Sequence, residues 1–535
     1  MANKVLKGTV RVVYNNTIYD VHPKTEISEV EGYTDDVTNK ISSATISATK
    51  VSGALNSASI AGSNITGTVA TSKLNGTISG ASISGALANN VSIAGSNITG
   101  NVPATIVNGT LANASIEAAN VIGIEEFGRG GTGKRYGYRI NKNESNPYNR
   151  VEYLYDATGF TPAHMDFEND TFDFGDWADA WFIKEIKPLM LKADGTVDYY
   201  LYENDYTKKA DGDDVTTDSG VDSDLANADY SGTDNAMVQI PTIYVKRWED
   251  ENYIYEVICS MKYDSDYEAY AHTNANGVIK PYFYYSMFDG SGNATSIRSL
   301  PDKTVSKSLS ATSQIQGAVA NGTGWYIHSW SQRELIRTLC VLLGKSTDTQ
   351  ARFGTGRATG SGTTDSTITT GTLMNKGMFY GISENTSAVK VFHIENFWGN
   401  QWDRTAGLML NYSNGFIYTK MTPEGEGYRI NDFNGMTLTG AAPAIGEGKY
   451  IEKVSASRYG LIPIAYSKGS SSTYFADGYW RRSDSAYPSG NIGYLFAGGS
   501  SVYASALSGA FTFGVGTAPS RADWHIGCGL SYIAS

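Results

Sequence analysis

A repetitive segment between residues 41 and 122 constrains the fold of this chain most. The nonapeptide Ser-Ile-Ala-Gly-Ser-Asn-Ile-Thr-Gly occurs at 59–67 and again at 92–100, and single aliphatic residues recur at steps of about four and five. This spacing fits neither the 3.6-residue period of a helix nor the alternation of a strand. One aliphatic residue per short segment cannot build a core within one chain. Such repeats therefore bury their apolar line by stacking or by association between chains.

Two interpretations of this segment stay open. A flexible Ser/Gly-rich linker would show the same low charge, but a linker does not require Ile and Val at regular positions. We therefore predict a repetitive β-rich fibrous shaft over residues 41–127. Three chains would bring their apolar lines together on one axis, which makes the protein an elongated homotrimer.

The residues before the shaft are predicted to form an N-terminal β-rich region, 1–40. Two β-rich runs, Val10–Tyr14 and Thr17–Val21, are joined by two asparagines. Asparagine tolerates positive φ, so this pattern indicates a hairpin.

The residues after the shaft, 128–135, read Gly-Arg-Gly-Gly-Thr-Gly-Lys-Arg. Their spacing matches a phosphate-binding loop, but Arg135 stands where that loop needs Ser or Thr to hold magnesium. The flanks also lack the strand and the helix of such a loop. We interpret the stretch as a Gly-rich hinge between shaft and head.

Composition limits the class of protein and of partner. Aromatic residues make up 12% of the chain and charged residues only 18%, which argues against global disorder. The 58 glycines and the Ser/Thr/Asn-rich texture favour strands and turns, so we expect a mostly β chain with an α+β head. The net charge of −12 argues against a nucleic-acid partner. The N-terminus lacks the apolar core of a signal peptide, and no run of about 18 apolar residues occurs. We therefore expect synthesis in the cytoplasm and no membrane insertion.

The globular head is predicted to begin at residue 136 and to have two parts, 136–330 and 331–535. The first part contains an acidic stretch, 203–234, without the DxDxDG register of a calcium loop. That stretch is interpreted as a solvated surface loop. Further along, Met237–Val245 is predicted to be a strand paired with Tyr253–Ile258.

The clearest helix of the head is predicted to start at a capping box formed by Ser331 and Glu334. Its apolar face recurs at helical spacing up to Gly344, which is the predicted stop.

No catalytic pattern is visible in the sequence. The six histidines are scattered without metal-binding spacing, and no nucleophile elbow occurs. Glu395 and Asp403 flank the segment that contains Trp398 and Trp402 and are the carboxylates to test as a glycosidase pair, whereas a structural role for both is the simpler interpretation. We predict no enzyme activity, no cofactor and no metal site. The three cysteines, too far apart for a zinc motif, are predicted to be small buried hydrophobes: Cys259, Cys340 and Cys528.

The last residues, 474–535, interleave two kinds of position. Apolar and glycine anchors alternate with Tyr, Ser, Asn, Arg, Asp and Gly. Tyrosine supplies a large amphipathic contact area, and small polar residues supply adaptable hydrogen bonding, as in antibody binding surfaces. This composition predicts a recognition surface on a rigid scaffold.

Together these features resemble a bacteriophage tail fibre or receptor-binding protein. The head resembles the C-type lectin-like (formylglycine-generating-enzyme-like) variable proteins that are diversified by retroelements. The motifs that carry the resemblance are Glu395-Asn396-Phe397-Trp398-Gly399-Asn400, Phe475-Ala476-Asp477-Gly478-Tyr479-Trp480, Ala497-Gly498-Gly499-Ser500, Ser508-Gly509-Ala510-Phe511 and Trp524-His525-Ile526-Gly527-Cys528-Gly529-Leu530-Ser531-Tyr532. Sulfatase-activating relatives of this fold use a reactive cysteine pair, and no such motif surrounds Cys340 and Cys528.

The resemblance implies which positions face a ligand and which hold the fold. The implied scaffold anchors are Trp480, Gly498, Gly499, Phe511, Trp524, Gly527 and Leu530. The implied variable, receptor-binding positions are Tyr479, Arg481, Ser483, Ser485, Tyr487, Ser489, Asn491, Tyr494, Ser500, Ser501, Tyr503, Ser505, Phe513, Ser520, Arg521, Asp523 and His525.

The function implied by the resemblance is attachment of a phage to a protein or glycan on the host surface. The chain would belong to the virion, as a homotrimer attached to tail or baseplate proteins through its N-terminus. Two alternatives stay open. A tail-spike glycan depolymerase requires a carboxylate pair in a groove, and a bacterial surface adhesin requires an export signal or a cell-wall anchor.

Overall fold

The computed structural model describes residues 10–14, 17–21, 133–210, 225–359, 365–423, 433–481, 492–497 and 507–535. The chain divides into two compact units, Met1–Glu126 and Phe127–Ser535. The division lies next to the predicted end of the shaft at residue 127. The predicted shaft and the predicted hinge up to Thr132 lie outside the described residues.

Strands dominate the described residues, so the chain is mostly β, as the composition predicts. In chain order they are β1 (Val10–Tyr14), β2 (Thr17–Val21), β3 (Arg135–Asn141), β4 (Val151–Tyr155), β5 (His164–Asp166), β6 (Thr171–Asp173), β7 (Lys187–Leu191), β8 (Val197–Tyr202), β9 (Asp205–Lys209), β10 (Asn235–Pro241), β11 (Tyr244–Glu249), β12 (Tyr253–Cys259), β13 (Tyr282–Ser286), β14 (Ser291–Asn293), β15 (Ser296–Arg298), β16 (Trp325–Ile327), β17 (Lys390–Val391), β18 (Ile394–Glu395), β19 (Trp402–Asn411), β20 (Phe416–Thr419), β21 (Thr437–Ala441), β22 (Gly446–Tyr450), β23 (Lys453–Ser457), β24 (Gly460–Ala465), β25 (Gly478–Arg481), β26 (Ile492–Ala497), β27 (Phe513–Thr517), β28 (Ile526–Gly527) and β29 (Leu530–Tyr532).

Helices are few in the described part of the head. They are α1 (Trp181–Glu185), α2 (Ala311–Val319), α3 (Trp330–Gly344) and α4 (Gln350–Phe353), with 3₁₀ turns at Gly175–Trp177 and Tyr270–His272.

The first unit contains one described element pair, the antiparallel hairpin of β1 and β2. Its register pairs Val10 with Val21 and Tyr14 with Thr17. The two asparagines therefore connect the strands, which confirms the predicted hairpin.

A seven-stranded sheet runs in the order β16-β29-β13-β10-β7-β8-β9. Its central strand β10 is buried at every residue. The strand predicted for Met237–Val245 is instead two strands in different sheets. Pro241 has no N–H to continue a ladder, so β10 ends there, and Tyr244 starts β11, which pairs with β12 in a separate sheet. The last strand, β29, joins this sheet between β16 and β13, so the two predicted parts of the head share one sheet.

A four-stranded sheet, β11-β12-β3-β4, and an eight-stranded sheet complete the main framework of the described head. The eight-stranded sheet runs β21-β20-β19-β26-β27-β25-β22, and β28 pairs in parallel with β19. It also contains a parallel pair, β25 with β27. This sheet carries the C-terminal residues of interest.

Helix α3 crosses the core and is buried along its whole length. It starts two residues earlier than predicted, because Ser329 and Gln332 form the capping box. The predicted cap partner, Glu334, instead pairs with Arg337 and accepts a hydrogen bond from the N–H of Leu461 at 2.8 Å. The helix continues through Gly344, and Lys345, in the left-handed conformation, is its C-cap.

A buried ionic network joins α3 to the four-stranded sheet. Glu256 is fully buried and accepts hydrogen bonds from Arg247, Tyr138 and both terminal nitrogens of Arg337. Burial alone would raise the pKa of Glu256, but Arg247 and Arg337 lower it to about 2. The carboxylate therefore stays charged inside the head, where the two guanidinium groups compensate its desolvation.

Candidate functional site

The parallel pair of β25 and β27 decides which C-terminal side chains reach the surface. Tyr479 lies opposite Phe513, and Arg481 lies opposite Val515. Tyr479 is 0% exposed and Phe513 is 3% exposed, and both belong to the main core. The structure therefore corrects the sequence analysis at these two positions, which were predicted to face a ligand. Successive side chains of a strand point to opposite faces. At the start of β25, the face that carries Tyr479 is the one that packs into the core.

The neighbouring Trp480 was predicted to be a scaffold anchor, and it is half-buried. Its ring packs edge-on against Trp402, with ring centroids 5.0 Å apart. Trp402, Trp480 and Ile526 form a small apolar cluster separate from the main core. Gly514 is in close contact with this cluster, because a Cβ there would lie 2.9 Å from Trp402. The cluster anchors β25, β27 and the C-terminal residues to β19.

Arg481 is the first predicted binding residue that remains half-exposed. Its Nη1 donates hydrogen bonds to the carbonyl oxygen of Pro443 at 2.7 Å and to that of Ala442 at 3.4 Å. The hydroxyl of Tyr479 donates to the same Pro443 oxygen at 3.1 Å. The backbone after β21 therefore fixes the position of the guanidinium.

A second group of predicted binding residues lies in the turn between β27 and β28. Ser520 is exposed at its tip. Arg521 donates to Asp523 at 3.0 Å, and Nδ1 of His525 lies 3.3 Å from the same carboxylate. Burial raises the pKa of Asp523, but the Arg521 hydrogen bond and the charge of His525 bring it below its usual value. His525 itself is buried, so Ser520, Arg521 and Asp523 are the accessible ones among the predicted binding residues of this turn.

Two backbone contacts attach this turn to the framework. The side chain of Gln401 donates to the Trp524 carbonyl at 3.1 Å, and Arg404 donates to the Arg521 carbonyl at 3.0 Å. Arg404 and Gln401 are themselves buried. The polar side chains of the turn are thus displayed from a backbone held by buried groups, which is how a precise binding surface is built.

Asp477 holds the segment that returns to β27, and sequence reasoning assigned it no role. Its fully buried carboxylate accepts from the N–H of Phe511 at 2.7 Å and from Gln350 at 3.0 Å. Gly509 packs directly against it, since a Cβ there would lie 2.1 Å from a carboxylate oxygen. Burial raises the pKa of Asp477 well above its ordinary value. The only sequence signal was its place in the Ala-Asp-Gly motif between aromatic residues.

The anchors Phe511, Gly527 and Leu530 are buried, as predicted, whereas Trp524 is half-exposed. Gly498 and Gly499 lie outside the described residues. Of the predicted binding positions, Tyr494 lies on β26, and its side chain is outside the described part. The other positions outside the described residues are Ser483, Ser485, Tyr487, Ser489, Asn491, Ser500, Ser501, Tyr503 and Ser505.

The carboxylates proposed as a glycosidase test pair are both interior. Glu395 accepts from the N–H groups of Gly371, Thr372 and Leu373, and it is 2% exposed. Asp403 is 4% exposed and pairs with Arg333 at 3.0 Å. Neither carboxylate can flank a glycosidic bond from this position, and both stabilise the fold.

Ser286, His328 and Asp403 come together in the order of a hydrolytic triad. The Ser286 hydroxyl lies 2.9 Å from Nε2 of His328, and Nδ1 of His328 lies 3.7 Å from Asp403. All three side chains are buried, and the Ser286 oxygen also accepts the N–H of Leu530 at 3.2 Å. Burial lowers the pKa of His328. Without access for a substrate, these residues connect β13, β16 and β19 to the C-terminal strand.

The cysteines are free and buried, as predicted. Burial raises the thiol pKa of Cys340 and of Cys528, which keeps both groups in the unreactive thiol form. Within the described ranges, no group of three or more His, Cys, Asp or Glu residues could hold a metal ion. In the same ranges, no helix is long and apolar enough to cross a membrane. Residues 211–224 of the predicted acidic loop are outside this description.

No family model matches this chain, and no curated protein matches it.

Proposed function

We propose that this chain is a viral tail fibre receptor-binding protein that attaches a phage to the surface of its host cell. The observation that carries the proposal is the way the turn 518–525 is displayed. Polar and charged side chains project from a backbone that buried Gln401 and Arg404 hold in place. A scaffold that fixes the backbone while leaving polar side chains accessible suits recognition of another molecule.

The proposal includes the fold and the location that the sequence resemblance implies. The head is a C-type lectin-like domain of the retroelement-diversified kind, residues 41–127 are a trimeric shaft, and the protein is part of the virion. Three heads on one stalk would add avidity to a weak single site.

The trimer is tested directly on the full chain. Mass photometry is expected to give three times the chain mass of 57.6 kDa. A preparation that is monomeric at all concentrations would contradict the shaft proposal, because a lone chain cannot bury the apolar line of the repeats.

Receptor binding is tested by blocking the surface without removing any internal contact. Fluorescently labelled full chain is titrated onto a panel of bacterial cells, and the strain with saturable binding is kept. The substitution Ser520→Trp is expected to weaken binding to that strain at least about tenfold, because a bulky side chain at the exposed tip prevents close approach. The unfolding temperature is expected to stay unchanged, since the side chain of Ser520 is exposed.

The matched control is Ser265→Trp, at an exposed serine in the turn after β12. This variant is expected to bind like the wild type. Equal binding by Ser520→Trp and the wild type would show that the receptor does not bind at this turn. Failure of the wild type to bind any strain would contradict attachment. Release of reducing sugar from the cells would also contradict a purely attaching role and would favour the depolymerase alternative.

A further inference from the structure

Arg481 carries a positive charge that no described residue neutralises. Arg521, a half-exposed arginine of the turn 518–525, is by contrast paired with Asp523 at 3.0 Å. Among the described residues, the hydrogen bonds of Arg481 go to the carbonyl oxygens of Ala442 and Pro443, through Nη1. Its Nε is buried and makes no hydrogen bond. The remaining donor capacity of a fixed guanidinium suits a carboxylate supplied from outside.

The turn between β19 and β20 lies against the guanidinium of Arg481. Gly415 lies beside it with φ +74°, and a Cβ at that position would be 3.2 Å from Nη2. The guanidinium also lies over the ring of Tyr412, 5.9 Å from its centroid. The turn between β19 and β20 therefore supports one side of the guanidinium.

Large apolar side chains are exposed on the backbone that supports Arg481. Ile445 is 52% exposed and directly precedes Gly446, the register partner of Arg481. Phe416 is 39% exposed and directly follows Gly415. The N–H of Ala442 donates to the Gly415 carbonyl at 2.9 Å, which joins these two segments. An arginine that has no acidic partner within the described ranges and has exposed aromatic and aliphatic neighbours matches the composition of a protein-binding hot spot.

The neighbours also discriminate between classes of ligand. Exposed Ile and Phe side chains gain free energy by burial against apolar surface. The hydroxyl-rich surface of a sugar offers little such area for Ile445, whereas the side chains around an acidic residue of a protein offer it. The apolar rim therefore favours a protein partner, and the unpaired charge requires an acidic group on that partner.

We propose that Arg481, together with Tyr412, Phe416 and Ile445, is the docking point for an acidic side chain of a receptor protein. This inference rests on the proposed receptor-binding function and specifies its ligand class.

The test uses the full chain and cells of the strain that binds it in the panel. Arg481→Gln is expected to weaken binding about tenfold, and Arg481→Lys by less, because lysine keeps the charge and loses the planar fork. Arg139→Gln is the matched control, since Arg139 is a half-exposed arginine on the four-stranded sheet and is paired with Glu152. Circular dichroism and the unfolding temperature of each variant show that the head is intact.

A second measurement needs no variant of the chain. Surface carboxylates of the cells are converted to amides with carbodiimide and glycinamide. This treatment is expected to weaken wild-type binding about as much as Arg481→Gln does, and to change the binding of that variant little, because the same contact is already lost. Proteinase K treatment of the cells is expected to abolish binding, and periodate oxidation of their glycans is expected to leave it unchanged.

Several results would overturn the inference while leaving receptor attachment intact. One is equal binding of the wild type and Arg481→Gln, and another is wild-type binding that is insensitive to amidation. Binding that survives proteinase K but is lost after periodate would identify a glycan receptor. If the wild type binds no strain in the panel, the proposed function fails and the inference fails with it.

Discussion

Replacing Arg337 with methionine is expected to lower the free energy of unfolding of the head by about 3–5 kcal/mol. The substitution keeps much of the side-chain volume and removes the cation. Arg337 donates to Glu256 at 2.9 and 3.0 Å and to Glu334 at 2.9 Å, and all three side chains are buried. Without Arg337, the buried carboxylates of Glu256 and Glu334 share Arg247 as their remaining guanidinium partner.

The size of this effect comes from leaving charge buried and uncompensated rather than from the strength of one ion pair. Urea unfolding followed by tryptophan fluorescence gives the free energy of each variant. Arg139→Met is the control, because the pair of Arg139 and Glu152 has side chains 32% and 44% exposed. That control is expected to cost less than about 1 kcal/mol. Equal losses for the two variants would show that burial of the network contributes nothing beyond a surface ion pair.

Replacing Asp477 with alanine is expected to cost about 2–3 kcal/mol, because the N–H of Phe511 and the amide of Gln350 lose their buried acceptor. Asp477→Asn is the matched variant and is expected to be much milder at pH 7. Asparagine keeps an oxygen for Phe511, and it removes a charge that burial disfavours. The segment 509–511 should therefore stay in place in the asparagine variant and loosen in the alanine variant.

The pH dependence of the free energy of unfolding, compared between the wild type and Asp477→Asn, gives an independent check. Burial raises the pKa of Asp477 in the folded head well above 3.8, so the folded state binds this proton more tightly than the unfolded state. The charged carboxylate destabilises the fold fully above its raised pKa, and this penalty decreases as the pH falls from that pKa towards 3.8. The free energy of unfolding of the wild type, measured relative to Asp477→Asn, is expected to rise on acidification. A difference that does not change with pH would show that Asp477 titrates alike in both states.

Local sequence signals predict the presence of a secondary-structure element better than they predict which side chains pair with each other. The apolar spacing of α3 predicted a helix ending near Gly344, which is confirmed, but two overlapping cap signals were present. Ser331 and Glu334 had the required spacing, whereas the structure uses Ser329 and Gln332. Glu334 is held by Arg337 and by the N–H of Leu461, more than a hundred residues away. That contact is invisible to a pattern that reads only a few neighbouring residues.

On β25, the implied ligand-facing role is wrong for Tyr479, although Arg481 on the same strand is half-exposed. The resemblance implied that Tyr479 faces a ligand, yet Tyr479 is buried and Trp480 is its half-exposed neighbour. A strand offers two faces, and a one-residue shift exchanges them. The pairing of β25 with β27, which chooses the face, is a tertiary property.

The sequence by itself determined the mostly β composition of the chain, the N-terminal hairpin, the central helix and the burial of the cysteines. These follow from composition, turn residues and local periodicity, which depend on neighbours along the chain. Only the tertiary structure decided that Glu395 and Asp403 are interior, that Asp477 holds the segment before β27, and that Arg481 has carbonyl partners and no counter-ion among the described residues. The physical reason is that burial and pairing depend on residues brought together from distant parts of the chain, and a side chain's chemistry changes once water is replaced by those partners.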